Sequence, residues 1–163
     1  MNQKDNCKEY RLYSMQLGKQ GLIDLDNKKE YWGNVLIKDN YLDILYTIYK
    51  PNMTFLDLGC GAGNVLKYAN NIGYNVTGVE FNKNLIVYLK DYNYINEDIT
   101  KLDEKFFNQF DVIYSYRPLK KEFKNFIDKV IKNMKQDSYL LTPTFIVDND
   151  NVKDLDNYLY QKI

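Results

Sequence analysis

The chain of 163 residues has no histidine, only two cysteines, three prolines and no excess of either charge, with 22 basic and 22 acidic side chains. Each shortage removes a class of protein. Without an imidazole there is neither the usual general base nor the commonest metal ligand, which excludes Ser-His-Asp hydrolases and most zinc enzymes. Cys7 and Cys60 alone support neither a disulfide framework nor a thiolate zinc site, and Cys60 lies inside a glycine-rich stretch. No metal is expected. Balanced charge creates no global field towards nucleic acid or an acidic membrane, so both are disfavoured as partners. The segment Met1 to Cys7 has no apolar core of the signal-peptide kind, and no later apolar run is long enough to span a bilayer. A soluble, cytoplasmic protein is expected.

What is present is a chain that is 45% hydrophobic, long enough for one core and too short for two ordinary domains. From residue 34 onward strand-like runs alternate with amphipathic helical runs, the pattern of a parallel sheet with helices on both faces. Tyr41, Leu42, Leu45, Ile48 and Tyr49 form one helical stripe, ended by Pro51 and Asn52. Strands are expected at 54–58, 75–80, around Tyr94 and Ile95, at 110–115 and at 138–142. Helices are expected after the glycines, with Val65, Leu66, Ala69 and Ile72 inward and Gly73 as the stop. Two more should carry Leu85, Ile86 and Leu89, and then Leu119 through Met134. The tail, 151–163, fits a helix or a strand equally well. The fold class is therefore α/β, a Rossmann-like three-layer sandwich with a mostly parallel central sheet, abbreviated at the C-terminus. Residues 34–163 would be the domain, and residues 1–33 an N-terminal segment and candidate lid carrying Tyr10, Tyr13, Tyr31 and Trp32.

The chemistry concentrates where the first strand meets its helix. Gly59, Gly61 and Gly63 are evenly spaced, unlike the G-x-G-x-x-G loop that is aimed at a pyrophosphate. Asp57, just before them, would repel a pyrophosphate and attract an ammonium or sulfonium. A cationic ligand fits this loop better than an anionic one. Glu80 ends the second strand where a Rossmann-like fold places the acid that accepts ribose hydroxyls. After the third strand, in Asn96-Glu97-Asp98-Ile99, the acid can accept from an adenine amino group while the apolar neighbour lines the ring.

On these motifs the chain resembles a class I S-adenosylmethionine-dependent methyltransferase, over roughly 34–147. The resemblance implies that Asp57-Leu58-Gly59-Cys60-Gly61-Ala62-Gly63 cradles the methionine moiety of S-adenosyl-L-methionine, with Glu80 on the ribose and Phe81 beside it. It also implies that Asp98 and Ile99 meet the adenine. The stretch Phe110-Asp111-Val112-Ile113-Tyr114-Ser115-Tyr116-Arg117-Pro118-Leu119 would border the methyl group. Ser115 and Tyr116 are the catalytic candidates, with Tyr13 and Trp32 also considered, and Ser115 is counted among the cofactor contacts as well. Ser115-Tyr116-Arg117-Pro118 departs from the Asn/Asp-Pro-Pro-aromatic signature of amino-group methylases, so the acceptor expected is a small molecule or a protein side chain. Two further strands, usual in the family after the fifth, must come from a short tail or be missing.

Plainer readings stand beside these. Asp98 also fits a helix N-cap, Glu80 a surface acid, Tyr116 a packing residue and Cys60 a small core residue. The principal rival function is a non-catalytic, S-adenosylmethionine-binding scaffold. A nicotinamide-dependent oxidoreductase is opposed by the glycine spacing and by Asp57.

Overall fold

The computed structural model describes residues 39–163 apart from 117–121, 144, 156 and 157. The lid expected at 1–33, with Tyr13 and Trp32, and the loop residues Arg117 and Pro118 lie outside the described residues.

A seven-stranded sheet runs in the order β3-β2-β1-β4-β5-β7-β6. Its strands are β1 (Thr54–Leu58), β2 (Asn75–Val79), β3 (Asn93–Ile95), β4 (Val112–Ser115), β5 (Tyr139–Leu141), β6 (Val152–Asp154) and β7 (Leu159–Lys162). The first five are parallel, and β7 is antiparallel to both β5 and β6. Helices α1 (Asp39–Ile48), α2 (Asn64–Ile72) and α3 (Phe123–Asn133) complete the layers. Among the described residues no helix is long and apolar enough to cross a membrane.

Side-chain alternation along β1 builds two cores. Phe55 joins Leu45 of α1 and Val65, Leu66 and Ala69 of α2 on one face. Leu56 and Leu58 join Phe126, Ile127, Val130 and Ile131 of α3 on the other. All three β1 side chains are fully buried, each contributing about 1.5–3 kcal/mol. This confirms the three-layer α/β architecture. Because β1 pairs with both β2 and β4, the chain winds away from it in two directions. The carboxyl ends of β1 and β4 are thus the switch point at which open α/β sheets take ligands.

Three local differences from the sequence expectations have physical causes. The helix expected around Leu85 to Leu89 is a single 3-10 turn, Ile86–Leu89. Only Leu89 of that turn is buried, too little apolar surface to carry a longer helix. A further 3-10 segment, Glu104–Gln109, is capped by Asp103 and seated by Phe107, which meets Phe126 of α3 edge-on. The tail resolves as strands: β6 and β7 form an antiparallel hairpin, so an abbreviated version of the two late strands is present.

Candidate functional site

The loop after β1 is shaped by three left-handed glycines, Gly59 (φ 79), Gly61 (φ 56) and Gly63 (φ 81). They do different work. A side chain at Gly63 would come within 2.6 Å of Leu89, so this glycine lets the loop close against the neighbouring turn. At Gly61 an added Cβ meets nothing within 4 Å; its backbone borders open space.

The loop amides are turned inward. Gly59 and Cys60 both donate to the Val79 carbonyl, at 2.9 and 3.0 Å, and Gly63 donates to the Cys60 carbonyl at 2.9 Å. Gly61 donates to Oε2 of Glu80 at 2.9 Å. Four N–H groups that could have cradled a phosphate are thus already used, and the loop is no anion nest. The Cys60 side chain is buried against Gly78, where an added Cβ would meet its Sγ at 2.7 Å. Burial, then the Asp57 and Glu80 charges, push this thiol well up. Cys60 therefore serves the loop through its backbone.

Beside this loop stand two buried acids. Asp57 is 2% exposed and Glu80 6% exposed. Burial first, then the Glu80 charge, raises the Asp57 carboxyl well above the ordinary range. Burial also raises Glu80, against the pull of backbone N–H groups from Asn82, Gly61 and Phe81. Among the described residues no lysine or arginine forms an ion pair with either. Uncompensated burial of carboxylates is costly, and a cation arriving beside them would relieve it. Glu80 also keeps acceptor capacity: Gly61 donates to Oε2 and Asn82 (2.8 Å) to Oε1, and the roughly four lone pairs of a carboxylate leave room for hydroxyl donors.

The other expected site residues are placed less uniformly. Phe81 follows Glu80 and is 57% exposed. Asp98 caps the 3-10 turn Ile99–Lys101, its Oδ1 accepting from Thr100 N at 2.9 Å and from Thr100 Oγ1 at 2.8 Å. These bonds hold its carboxyl below the ordinary range. Ile99 is buried in the same core cluster as Val79 and Leu102. Ser115 ends β4 opposite Leu58 of β1; it is fully buried, and its Oγ has no hydrogen-bond partner among the described residues. Tyr116, half-buried, packs on the α1 and α2 face. The structure thus gathers Asp57, the glycine loop, Glu80 and Phe81 at one end of the sheet, with Ser115 ending the strand beside them. Sequence reasoning missed Asn96, whose Nδ2 donates to the carbonyls of Glu80 (2.7 Å) and Phe81 (3.1 Å). Its only signal was an amide directly after a strand end.

An open cavity of about 480 Å³ lies elsewhere, at the amino ends of the strands, lined by Lys50, Asn52, Met53, Asp111, Lys135 and Tyr139 among others. It has no glycine loop, and its Asp111 binds Lys135 Nζ at 2.6 Å.

A parallel sheet with a glycine loop and an acid at the ends of adjacent strands defines a Rossmann-like ligand-binding domain. The family model described as a methyltransferase domain matches residues 56–141, just over half the sequence, and the chain belongs to that family. The resemblance to class I S-adenosylmethionine-dependent methyltransferases therefore holds. No protein of curated function matches the chain. Among solved structures it is similar to an RNA methyltransferase of Salinibacter ruber in complex with S-adenosyl-L-homocysteine: 14% identity, TM-score 0.58, covering 78% of this chain and 91% of that one. TehB of Haemophilus influenzae is similar at 21% identity and TM-score 0.58, over 74% of this chain and 52% of that one. A Listeria monocytogenes protein assigned to the S-adenosylmethionine-dependent methyltransferases is similar at 21% identity and TM-score 0.52, over 64% of this chain. The match spans 55% of that Listeria protein. At such identities these likenesses show the fold.

Proposed function

We propose that this domain binds S-adenosyl-L-methionine at the carboxyl ends of β1 to β4 and transfers its methyl group to a small-molecule or protein acceptor. The observation that carries the reading is the pair of buried, cation-free carboxylates, Asp57 and Glu80, beside a loop whose amides are already used. That surface suits a cation bearing ribose hydroxyls and does not suit a pyrophosphate. In this reading Asp57 stabilises the positive charge of the ligand, and Glu80 accepts from the ribose hydroxyls. Gly61 gives the close backbone approach. Phe81 offers an exposed ring to the base, with Asp98, through its second oxygen, and Ile99 completing the adenine end.

The bound sulfonium supplies an electrophilic methyl and a thioether leaving group. The chain has then to exclude water and to align the acceptor in line with the methyl-sulfur bond, for which no histidine is required. Ser115 Oγ, buried without a partner, would take its missing hydrogen bond from the ligands, and Tyr116 follows it towards the acceptor. An amine or thiolate acceptor needs little base assistance, whereas a hydroxyl acceptor would need a carboxylate or tyrosine to take its proton. Residues 34–163 form the cofactor domain in this proposal and residues 1–33 a segment covering the acceptor side. The free Cys60 thiol supports a cytoplasmic location.

Calorimetric titration with S-adenosylmethionine, S-adenosylhomocysteine and NADH tests the reading. Both adenosyl ligands should bind more tightly than NADH, and Glu80→Ala should weaken them by about 1–3 kcal/mol, the range for a hydrogen bond to a charged group. Tighter binding of NADH, or an unchanged affinity in folded Glu80→Ala, overturns it.

A further inference from the structure

We propose that Asn96 is a positioning residue for nucleoside recognition, its side-chain amide fixing the backbone from which Glu80 and Phe81 present their carboxylate and ring; this rests on the cofactor reading above. Asn96 follows β3 by one residue, where the ladder with β2 has ended. Its Nδ2 continues that ladder by other means, donating to Glu80 O at 2.7 Å and to Phe81 O at 3.1 Å. The Glu80 N–H in turn donates to Ile95 O at 3.0 Å. Both main-chain polar groups of Glu80 are thereby tied to the third strand.

The consequence passes on to the glycine loop. The carboxylate of Glu80 accepts from Gly61 N through Oε2 and from Asn82 N through Oε1, at 2.9 and 2.8 Å. A displacement of the Glu80 backbone would shift the acid offered to the ribose, the ring of Phe81 and the Gly61 amide together. Asn is the residue this task requires: one nitrogen carries two donors for two adjacent carbonyls, while an aspartate of the same shape would set negative oxygens against them. Asn96 is exposed, so its removal leaves the two cores intact.

The experiment compares wild type, Asn96→Ala and Asn96→Asp as full chains at neutral pH, titrated with S-adenosylhomocysteine and unfolded thermally without ligand. Asn96→Ala should weaken binding about five- to tenfold, the loss of roughly one hydrogen bond's worth of ordering. Asn96→Asp should weaken it further, because it adds repulsion to the lost donors, and both variants should unfold close to the wild-type midpoint. Wild-type affinity in either variant overturns the proposal and leaves the cofactor reading standing. So does a loss in both that only tracks a fall in midpoint, since general destabilisation alone would explain it. Failure of wild type itself to bind S-adenosylhomocysteine overturns both.

Discussion

Asp57 and Asp111 sit at opposite ends of neighbouring strands and have opposite electrostatic fates. Asp111, at the amino end, receives Thr54 N and Thr54 Oγ1 on one oxygen, both at 2.9 Å, and Lys135 on the other at 2.6 Å. Burial is the largest single influence and pushes its carboxyl up, but Lys135 and Thr54 together outweigh it and hold the group below the ordinary range. Asp57, at the carboxyl end, is more deeply buried, has the Glu80 charge for company and is pushed well up. One acid clamps the beginnings of β1 and β4 and the end of α3. The other has no counterion among the described residues. That difference supports our proposal of a charged ligand at the carboxyl end.

The comparison breaks most completely at Gly61. Gly61→Val places a β-branched residue at φ 56 and projects it into the open space beside the loop. Affinity for S-adenosylhomocysteine should fall by at least about a hundredfold, roughly 2–3 kcal/mol, with little loss of fold by circular dichroism; retention of binding would place the ligand elsewhere. At the other end, Asp111→Ala should lower unfolding stability by about 2 kcal/mol, since charged hydrogen bonds are lost and the Thr54 amide is left without its acceptor. Ligand affinity, measured well below the unfolding midpoint, should not change.

Asp57→Asn sharpens the contrast through pH. A carboxyl raised in the folded state favours folding below its unfolded value, near 4, and that stabilisation is lost as pH rises through the folded value. The Asn variant should therefore equal wild type in acid and exceed it at neutral pH. Its binding should be weaker, and should lose the rise of affinity with pH expected as wild-type Asp57 ionises against a cationic ligand. Thermal scans and titrations from acid to alkaline pH follow both, and a variant less stable than wild type at neutral pH would contradict the electrostatic account.

Much of the fold could be read from local pattern because local pattern determined it. Thr54–Leu58 and Asn64–Ile72 are apolar runs punctuated by glycine, and both stand where expected. The tail could not be read this way: Leu159–Lys162 is a strand because β5 and β6 flank it, and the turn before it depends on Tyr158 at φ 63. Asp98 was ambiguous for a chemical reason, since an N-cap and an adenine acceptor call for the same carboxylate at the same position, and the cap is the contact present here. The bonds of Asn96 join residues fifteen and sixteen positions apart across two strands, a distance at which a single sequence carries no pairing signal.

The position of β7 also dictates an order of assembly. Among the described residues β6 pairs only with β7, although it precedes β7 in the chain, and β7 fills the place between β5 and β6. As the polypeptide leaves the ribosome, residues 152–154 have no neighbour to join until 159–162 follow, and β5 keeps its outer hydrogen-bonding edge open meanwhile. An unfinished chain therefore presents a bare, apolar strand edge, with Leu140 and Leu141 at its centre, to any other strand it meets. Completion of the hairpin withdraws that invitation, so residues 159–162 guard nascent molecules against one another.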